Sequence, residues 1–485
     1  MIAVLLFSYK ISDAQEIKKL TFNEVIKLAE DQSPDAFIAK HRFRNSYWQY
    51  RTFVAQYRPS LTLTGTTPDY STAYDKVWNS QLGGYEYRSS KTLSNLASLS
   101  LSQNIGLTGG EISLNSNLTL FNDLEKDSRS YITSPVNIGL TQPLFRYNAL
   151  KWQKKTEPLK YAAARQTFLE SIEAVHQRAV MNFFSLALAQ INKQIAEMNY
   201  SNADTLWRIA QGRYELGTIA EDELLQMQLS WLNAETARKG AEMNLRDREI
   251  RLKSFLGFNE TVRLELIIPT EVPDLQVSTQ EVFDLAMVNN PEMMTQQLTL
   301  LSAQSSVAQA KAEKGLNANL TASYGLQDRD PDFRLAYSDP NQQQRVRIGI
   351  TIPILDWGLG RGRYKMALSS LELAKVQSQQ AITDFQQNLY LDVEQFNLQA
   401  EQVMIAAKSD TVAMKRYEVT KQRFLIGKIA VLDLNDADSR KDQNKRAYIQ
   451  ALQNYWNYFY NIRGLTLYDF INRKPIETDY EKLIE

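Results

Sequence analysis

No cysteine occurs in this sequence. Disulfides, thiolate metal sites, cysteine nucleophiles and lipid attachment through cysteine are therefore excluded. Histidine is almost as scarce: only His41 and His176 are present, each alone on a helical stretch, which reads as packing or surface. No run approaches the ~20 apolar residues of a membrane-spanning helix. Neither sign of charge is in excess, since 55 basic residues balance 55 acidic ones, and no general attraction to nucleic acid or anionic lipid follows. Ser/His/Asp arrangements, phosphate loops, dinucleotide-type glycine patterns and metal-ligand clusters are missing too, so no enzyme, cofactor or metal is expected. If this chain crosses a bilayer, it does so with strands.

What the sequence has instead is an internal echo. Arg213-Tyr214-Glu215-Leu216-Gly217-Thr218 returns as Arg423-Phe424-Leu425-Ile426-Gly427-Lys428, a shift of 210. Gly139-Leu140-Thr141-Gln142-Pro143-Leu144 returns as Gly349-Ile350-Thr351-Ile352-Pro353-Ile354 at the same shift. Upstream, Glu24 to Ala29 returns as Glu281 to Ala286, and Leu63-Thr64 as Leu320-Thr321, both at 257. The difference of 47 residues lies between Thr64 and Gly139. A unit this long describes a duplicated half-molecule rather than a solenoid repeat.

Each half has the same order: short helix, β segment, long helix, reversal, second helix. Asp35 to Arg58 and Glu292 to Lys314 are free of glycine and proline, and each follows a proline, so both read as helices. Arg363 to Ile426 runs 64 residues without a breaker, a helix of roughly 96 Å at 1.5 Å per residue. Its counterpart runs from near Ala149 to about Tyr214, with Pro158 kinking rather than stopping it. Glutamine and asparagine alternate with a narrow apolar seam at Leu389, Leu391, Val393 and Phe396. Such helices want partners on both sides, as in a coiled coil or a ring of helices.

Elsewhere the period drops to two. Leu99 and Leu101, then Ile112, Leu114, Leu118 and Leu120, then Val136, Ile138 and Leu140, and finally Val346, Ile348, Ile350 and Ile352 alternate with mostly polar residues. One apolar and one polar face suits a barrel with lipid outside and water inside, or a half-buried soluble sheet. A pair of strands is not stable alone, so closure would need several subunits. The polar stretches 69–94, 122–130 and 327–344 read as loops, and an extra hairpin at about 95–121 accounts for the surplus of the first half. Each copy would contribute four strands to such a closure, with that hairpin outside the wall, or six if the hairpin is counted.

This order resembles the TolC family of outer-membrane export ducts over about residues 17–470. The matching features are the duplicated halves, the two strand-to-helix junctions at Gly139 and Gly349, the two Arg-aromatic-x-x-Gly turns, and the run Val431-Leu432-Asp433-Leu434-Asn435-Asp436-Ala437 after the second turn. The resemblance implies a mixed α/β membrane protein with two internal repeats. Its homotrimer would close a transmembrane β-barrel and continue it as a long α-helical periplasmic barrel. Localisation would be the outer membrane, extending into the periplasm, with a periplasmic adaptor, an inner-membrane transporter and outer-membrane lipid as partners.

The implied segments are a signal-peptide remnant at 1–14, N-terminal helices at 15–60, first-repeat strands with the extra hairpin and extracellular loops at 61–143, and a long helix pair at 144–256. An equatorial connector follows at 257–279, then short helices at 280–316, second-repeat strands at 317–356, the gated helix pair at 357–463 and a C-terminal equatorial segment at 464–485. For the first of these, Ile2 to Phe7 is apolar and Ser12-Asp13-Ala14 followed by Gln15 suits signal-peptidase cleavage, although no positive charge precedes the run.

The resemblance also assigns roles. Asp433 and Asp436 fall where family members carry acidic rings lining a periplasmic gate. Three residues apart on a helix, they share a face, and a threefold axis would crowd them so that they attract cations and raise one another's pKa; a solvated acidic face near a helix N-terminus is the plainer reading. Family gates are tied shut through a basic residue two after the turn glycine, where this chain has Ile429; Phe424 and Ile429 would form an apolar constriction instead. Leu216, Gly217 and Thr218, with Ile426, Gly427 and Lys428, would form adaptor-docking tips, and as glycine turns they are helix caps in any case. Tyr455, Trp456, Tyr458, Phe459 and Tyr460 read as core, and Trp357 as a membrane-interface residue. A soluble periplasmic coiled-coil scaffold and a stand-alone porin are the competing readings.

Overall fold

The computed structural model describes residues 17–258, 262–426, 428–429 and 431–484. The signal-peptide reading of 1–14 and the tip glycine Gly427 lie outside these. The chain divides into two compact units. One holds the described residues up to Arg44, Ala164–Met293 and those from Ile382 onward; the other holds Asn45–Ala163 and Met294–Ala381. No helix among the described residues is long and apolar enough to cross a membrane.

The first unit is helical. Strand β1 (Ile17–Thr21) enters α1 (Phe22–Gln32) through a capping box: the Glu24 carboxylate accepts from the Thr21 backbone at 2.7 Å, and the Thr21 hydroxyl accepts from the Glu24 N–H at 3.3 Å. Helix α2 (Pro34–Ala55) starts at a proline, which lacks the N–H that a first helical turn leaves unused. The long pairs follow from the breaker-free runs. Helices α3 (Ala149–Glu215) and α4 (Glu221–Leu256) flank the turn at Gly217; α3 continues through Pro158, so that residue does not stop it. In the second half, α5 (Thr279–Asn289) and α6 (Pro291–Glu313) precede α7 (Leu359–Leu425) and α8 (Val431–Thr466). The connector is more ordered than its prolines suggest, since β6 (Arg263–Ile267) pairs in parallel with β1.

Aromatic and branched side chains from these elements make one core. Phe22 lies 4.8 Å from Trp456 and 5.4 Å from Phe183 between ring centroids. Tyr455, Trp456, Phe459 and Tyr460 are buried, as their aromatic run predicts, and the Tyr455 hydroxyl donates to the Pro273 carbonyl at 2.6 Å. Buried rings bring large apolar area, and a buried hydroxyl needs such a partner.

The second unit carries the sheet: β2 (Ser60–Asn79), β3 (Gly84–Ile105), β4 (Gly110–Asp123), β5 (Ser128–Leu144), β7 (Asn317–Asp330) and β8 (Asn341–Thr351), hydrogen-bonded in that order. Every pairing is antiparallel. Three expectations are corrected here. The extra hairpin does not stand outside the wall, because β3 and β4 are paired within the sheet, between β2 and β5. A four-stranded contribution is therefore replaced by six. Residues 69–94 are not a loop: β2 and β3 pair from Ser60↔Ser102 to Asn79↔Gly84, through a register shift between Thr66 and Asp69. Their polarity hides a strand: Tyr70, Thr72, Tyr74, Lys76 and Trp78 share one face of β2, and threonine and aromatic side chains suit a pleated surface.

Candidate functional site

In the first unit, α7 and α8 meet beside their connecting turn through an ion-paired ladder. Asp433 sits exposed in the first turn of α8. Asp436, one helical turn on, is not a free acid. Arg416 of α7 donates to it at 2.7 Å, and Arg440 of its own helix at 3.0 and 3.2 Å. The hydrogen bonds from Arg416 and then Arg440 hold its carboxyl below the usual range, the reverse of the upward shift expected of crowded like charges. Within the chain its charge is compensated.

Farther along, Lys445 reaches Asp410 of α7 at 3.1 Å, Asn199 of α3 donates to Asp442 at 3.1 Å, and Arg446 donates to Asn192 of α3 at 2.7 Å. Lys441 is buried among these, 2.6 Å from Asp438 and 4.1 Å from the Tyr417 ring centroid. Burial disfavours its charge, but Asp438 and Asp442 outweigh that and its pKa is raised. Sequence reading missed Arg416, Lys441 and Asp442. Their signal was available only as surplus charge on a long helix, which ordinarily means a solvated face.

Phe424 and Ile429 are half-buried on either side of the turn. At the α3–α4 turn, Gly217 has φ +69°, a left-handed conformation that glycine adopts freely. The Thr218 N–H bonds back to the Arg213 carbonyl at 2.9 Å, and at the α7–α8 turn Lys428 bonds back to Arg423 at the same 2.9 Å. These closures cap the helices. Leu216 and Ile426 are left at the tips, 79 % and 64 % exposed.

Helix α7 carries two seams of seven-residue period. Leu389, Phe396, Val403 and Tyr417 are buried, with Asp410 in the intervening place. Leu391, Leu398, Ile405, Val412 and Val419, followed by Ile426 just beyond the helix, are all exposed. Two residues separate the seams, about 200° around the helix. One side of α7 is thus covered within the chain and the opposite side is bare.

A cluster on α1, α3 and α8 completes the first unit. His176 lies 3.3 Å from Glu30 and 3.4 Å from Glu173, and Arg463 reaches Glu173 at 3.0 Å and Asp469 at 3.6 Å. Burial alone would lower the imidazole pKa, but the adjacent Glu173 and Glu30 carboxylates outweigh it, so the pKa is raised. His176 is therefore a packing residue with a charge role, legible in the sequence only as a lone histidine.

In the second unit, register sorts the sheet into two faces. Leu61, Leu101, Leu114, Ile138 and Tyr324 are successive cross-strand partners, and Ile112, Leu140, Ala322 and Val346 form the next row. The opposite face is polar: Ser98 donates to Asn117 at 2.5 Å, and Ser100 to Asn115 at 2.6 Å. The edge strands β2 and β8 are exposed along their described length, and neither outer edge has a partner strand among the described residues. At the strand-to-helix junctions Phe145 and Trp357 take φ +61° and +54°, a conformation costing about 1–2 kcal/mol for a residue with a Cβ. Trp357 is 90 % exposed there.

The family model described as outer membrane efflux protein matches residues 25–258 and 282–466. An uncharacterized protein of Haemophilus influenzae is 23 % identical over 268 residues, 54 % of this chain and 56 % of that one, so the match spans little more than half of that relative. Among solved structures, the Campylobacter jejuni CmeC outer membrane channel superposes with a TM-score of 0.67 at 15 % identity, over 96 % of this chain and 88 % of the other. The Vibrio cholerae outer membrane protein VceC gives 0.60 at 13 % identity, over 94 % and 97 %. At these identities the likeness is one of fold.

Proposed function

The chain belongs to the outer membrane efflux protein family, and from that premise we propose that three copies form the exit duct of a tripartite export machine. The duct would pass substrates passively from an inner-membrane transporter and its periplasmic adaptor to the exterior. The observation that carries the reading is the unfinished sheet: six strands, one apolar face and two bare edges. In hydrocarbon, unpaired edge groups have no water to bond, so only a closed wall is tolerable. Six is an even number of alternating strands. The β8 edge of one copy therefore runs antiparallel to the β2 edge of the next, and three copies close eighteen strands. Barrels of about that size keep an aqueous channel.

The bare seam of α7 supports the same assembly, because a helix in a ring needs a neighbour on each side. Element bounds support a duplicated gene: α7 and α8 begin and end 210 residues after α3 and α4, and α5 begins and ends 257 after α1. In this reading Asp433, Asp436, Phe424 and Ile429 line the periplasmic gate. The tips at Leu216, Gly217, Thr218, Ile426, Gly427 and Lys428 meet the adaptor, and Trp357 anchors at the membrane interface.

Because the chain has no cysteine, introduced thiols report cleanly. With Leu63→Cys in β2 and Ile348→Cys in β8, a short bis-maleimide should give covalent ladders ending at three copies. Each single variant should give no ladder, because like strands of neighbouring copies would lie six strands, roughly 29 Å, apart. A protein that stays monomeric in outer-membrane extracts, with no ladder, overturns the duct.

A further inference from the structure

The β2–β3 hairpin outruns the sheet. The last rung between β3 and β4 is Thr92↔Asp123, whereas β2 and β3 stay paired to Asn79↔Gly84. The eight residues Gly84 to Lys91 thus stand beyond β4, a ribbon about 26 Å long at 3.3 Å per residue. Its two faces differ. Directly paired residues share a face, so Tyr74↔Ser89, Lys76↔Tyr87 and Trp78↔Tyr85 lie together. The other face carries Asp75↔Arg88 and Val77↔Glu86, and Arg88 is paired with Glu86 at 2.5 Å.

The aromatic face is continuous with the apolar wall. Along β3, Tyr85 and Tyr87 keep the alternation of Leu93, Leu99 and Leu101, because the extra residue of the register shift falls on β2, between Thr66 and Asp69. Leucine thus gives way to tyrosine and tryptophan on the same face where the ribbon leaves the sheet. Tyr74, Tyr85 and Tyr87 are each at least 65 % exposed, and Trp78 stands edge-on to Tyr85 at 5.0 Å. Lys76 lies 4.8 Å above the Tyr85 ring and has no carboxylate partner among the described residues, while Lys91 is 3.8 Å from Glu125.

We propose that this face binds the headgroups of a phosphorylated glycolipid in the outer leaflet, the aromatic rings stacking on its sugars and Lys76 meeting a phosphate. Flat rings with a polar tip suit the boundary between acyl chains and sugars. A basic side chain next to them favours an anionic headgroup over a neutral one. The occupant is lipid-borne because the face continues the wall that meets acyl chains. The proposal rests on that wall being the lipid face.

The test uses full-length protein in nanodiscs of phosphatidylcholine, with or without a bis-phosphorylated disaccharide lipid, and native mass spectrometry to count retained lipid. Wild type should keep the glycolipid in preference to phosphatidylcholine. Lys76→Gln should lower that preference by about fivefold, Lys76→Arg should restore it, and a dephosphorylated lipid should reproduce the loss. Tyr74→Ser with Tyr87→Ser should reduce retention of both phosphorylated and dephosphorylated forms. Unchanged retention in every variant overturns the proposal, as does equal binding of the deacylated sugar phosphate. Loss of trimers in the variants would instead make the ribbon a contact between copies, and failure of wild type to enter the nanodisc would sink the duct reading itself.

Discussion

His176 sits where a neutral imidazole would leave two carboxylates short of a partner. Glu30 and Glu173 flank it, Tyr460 covers its ring at 5.3 Å, and Arg463 holds the far side of Glu173. Its pKa in the folded chain is raised. The stabilisation it supplies is therefore complete below the unfolded value of 6.5 and is lost as pH rises through the higher folded value. Thermal unfolding followed by circular dichroism should show wild type losing stability over that window, and His176→Gln should flatten the dependence. His176→Ala removes a partner of the buried Glu173 and should cost about 3 kcal/mol. Nothing in the sequence around His176 announces this, because Glu30 and Arg463 are distant along the chain.

At the scale of elements, α8 is tied to α7 by Arg416–Asp436 and Lys445–Asp410 and to α3 by Asn199–Asp442. If the end of α8 is the gate proposed above, its opening requires some of these ties to break. Exposed pairs contribute little to global stability, typically under about 1 kcal/mol, so they bias a conformation without holding the fold. Arg416→Ala should raise single-channel conductance in planar bilayers and strengthen cation preference, since Asp436 would keep only Arg440 as a partner. Asp433→Ala with Asp436→Ala should abolish cation preference and cation block. If conductance and selectivity stay at wild-type values in both variants, neither residue belongs to the gate.

The helices themselves were legible, since a long run without glycine or proline leaves the backbone no cheap place to stop. The β2–β3 ribbon was not. Its Tyr70-to-Asn79 stretch carries an aromatic only at every fourth residue, with serine, threonine, aspartate and lysine between, so its composition reads as a loop. Among candidate gate residues, Asp433 and Asp436 were visible as paired acids, but the partner of Asp436 was not.

At the scale of the molecule, the bare α7 seam makes a separable prediction about assembly. Ile405→Glu with Val412→Glu changes residues that are 54 % and 58 % exposed in the single chain, so folding of one copy should be nearly unaffected. If the proposed trimer packs on this seam, assembly should fail, because two buried, unpaired charges would sit in each contact between copies. Size-exclusion chromatography with light scattering, compared with helicity by circular dichroism, distinguishes loss of trimers from loss of fold.

The sequence by itself determined helix lengths, turn positions and which face of each recognised strand is apolar, because these depend on neighbours a few residues away. Tertiary structure alone decided that β3 and β4 join the sheet between β2 and β5, that Arg416 rather than solvent meets Asp436, and that one α7 seam is covered while the other is bare. Those are choices among distant partners of equal chemistry, and local propensity carries no term that separates them.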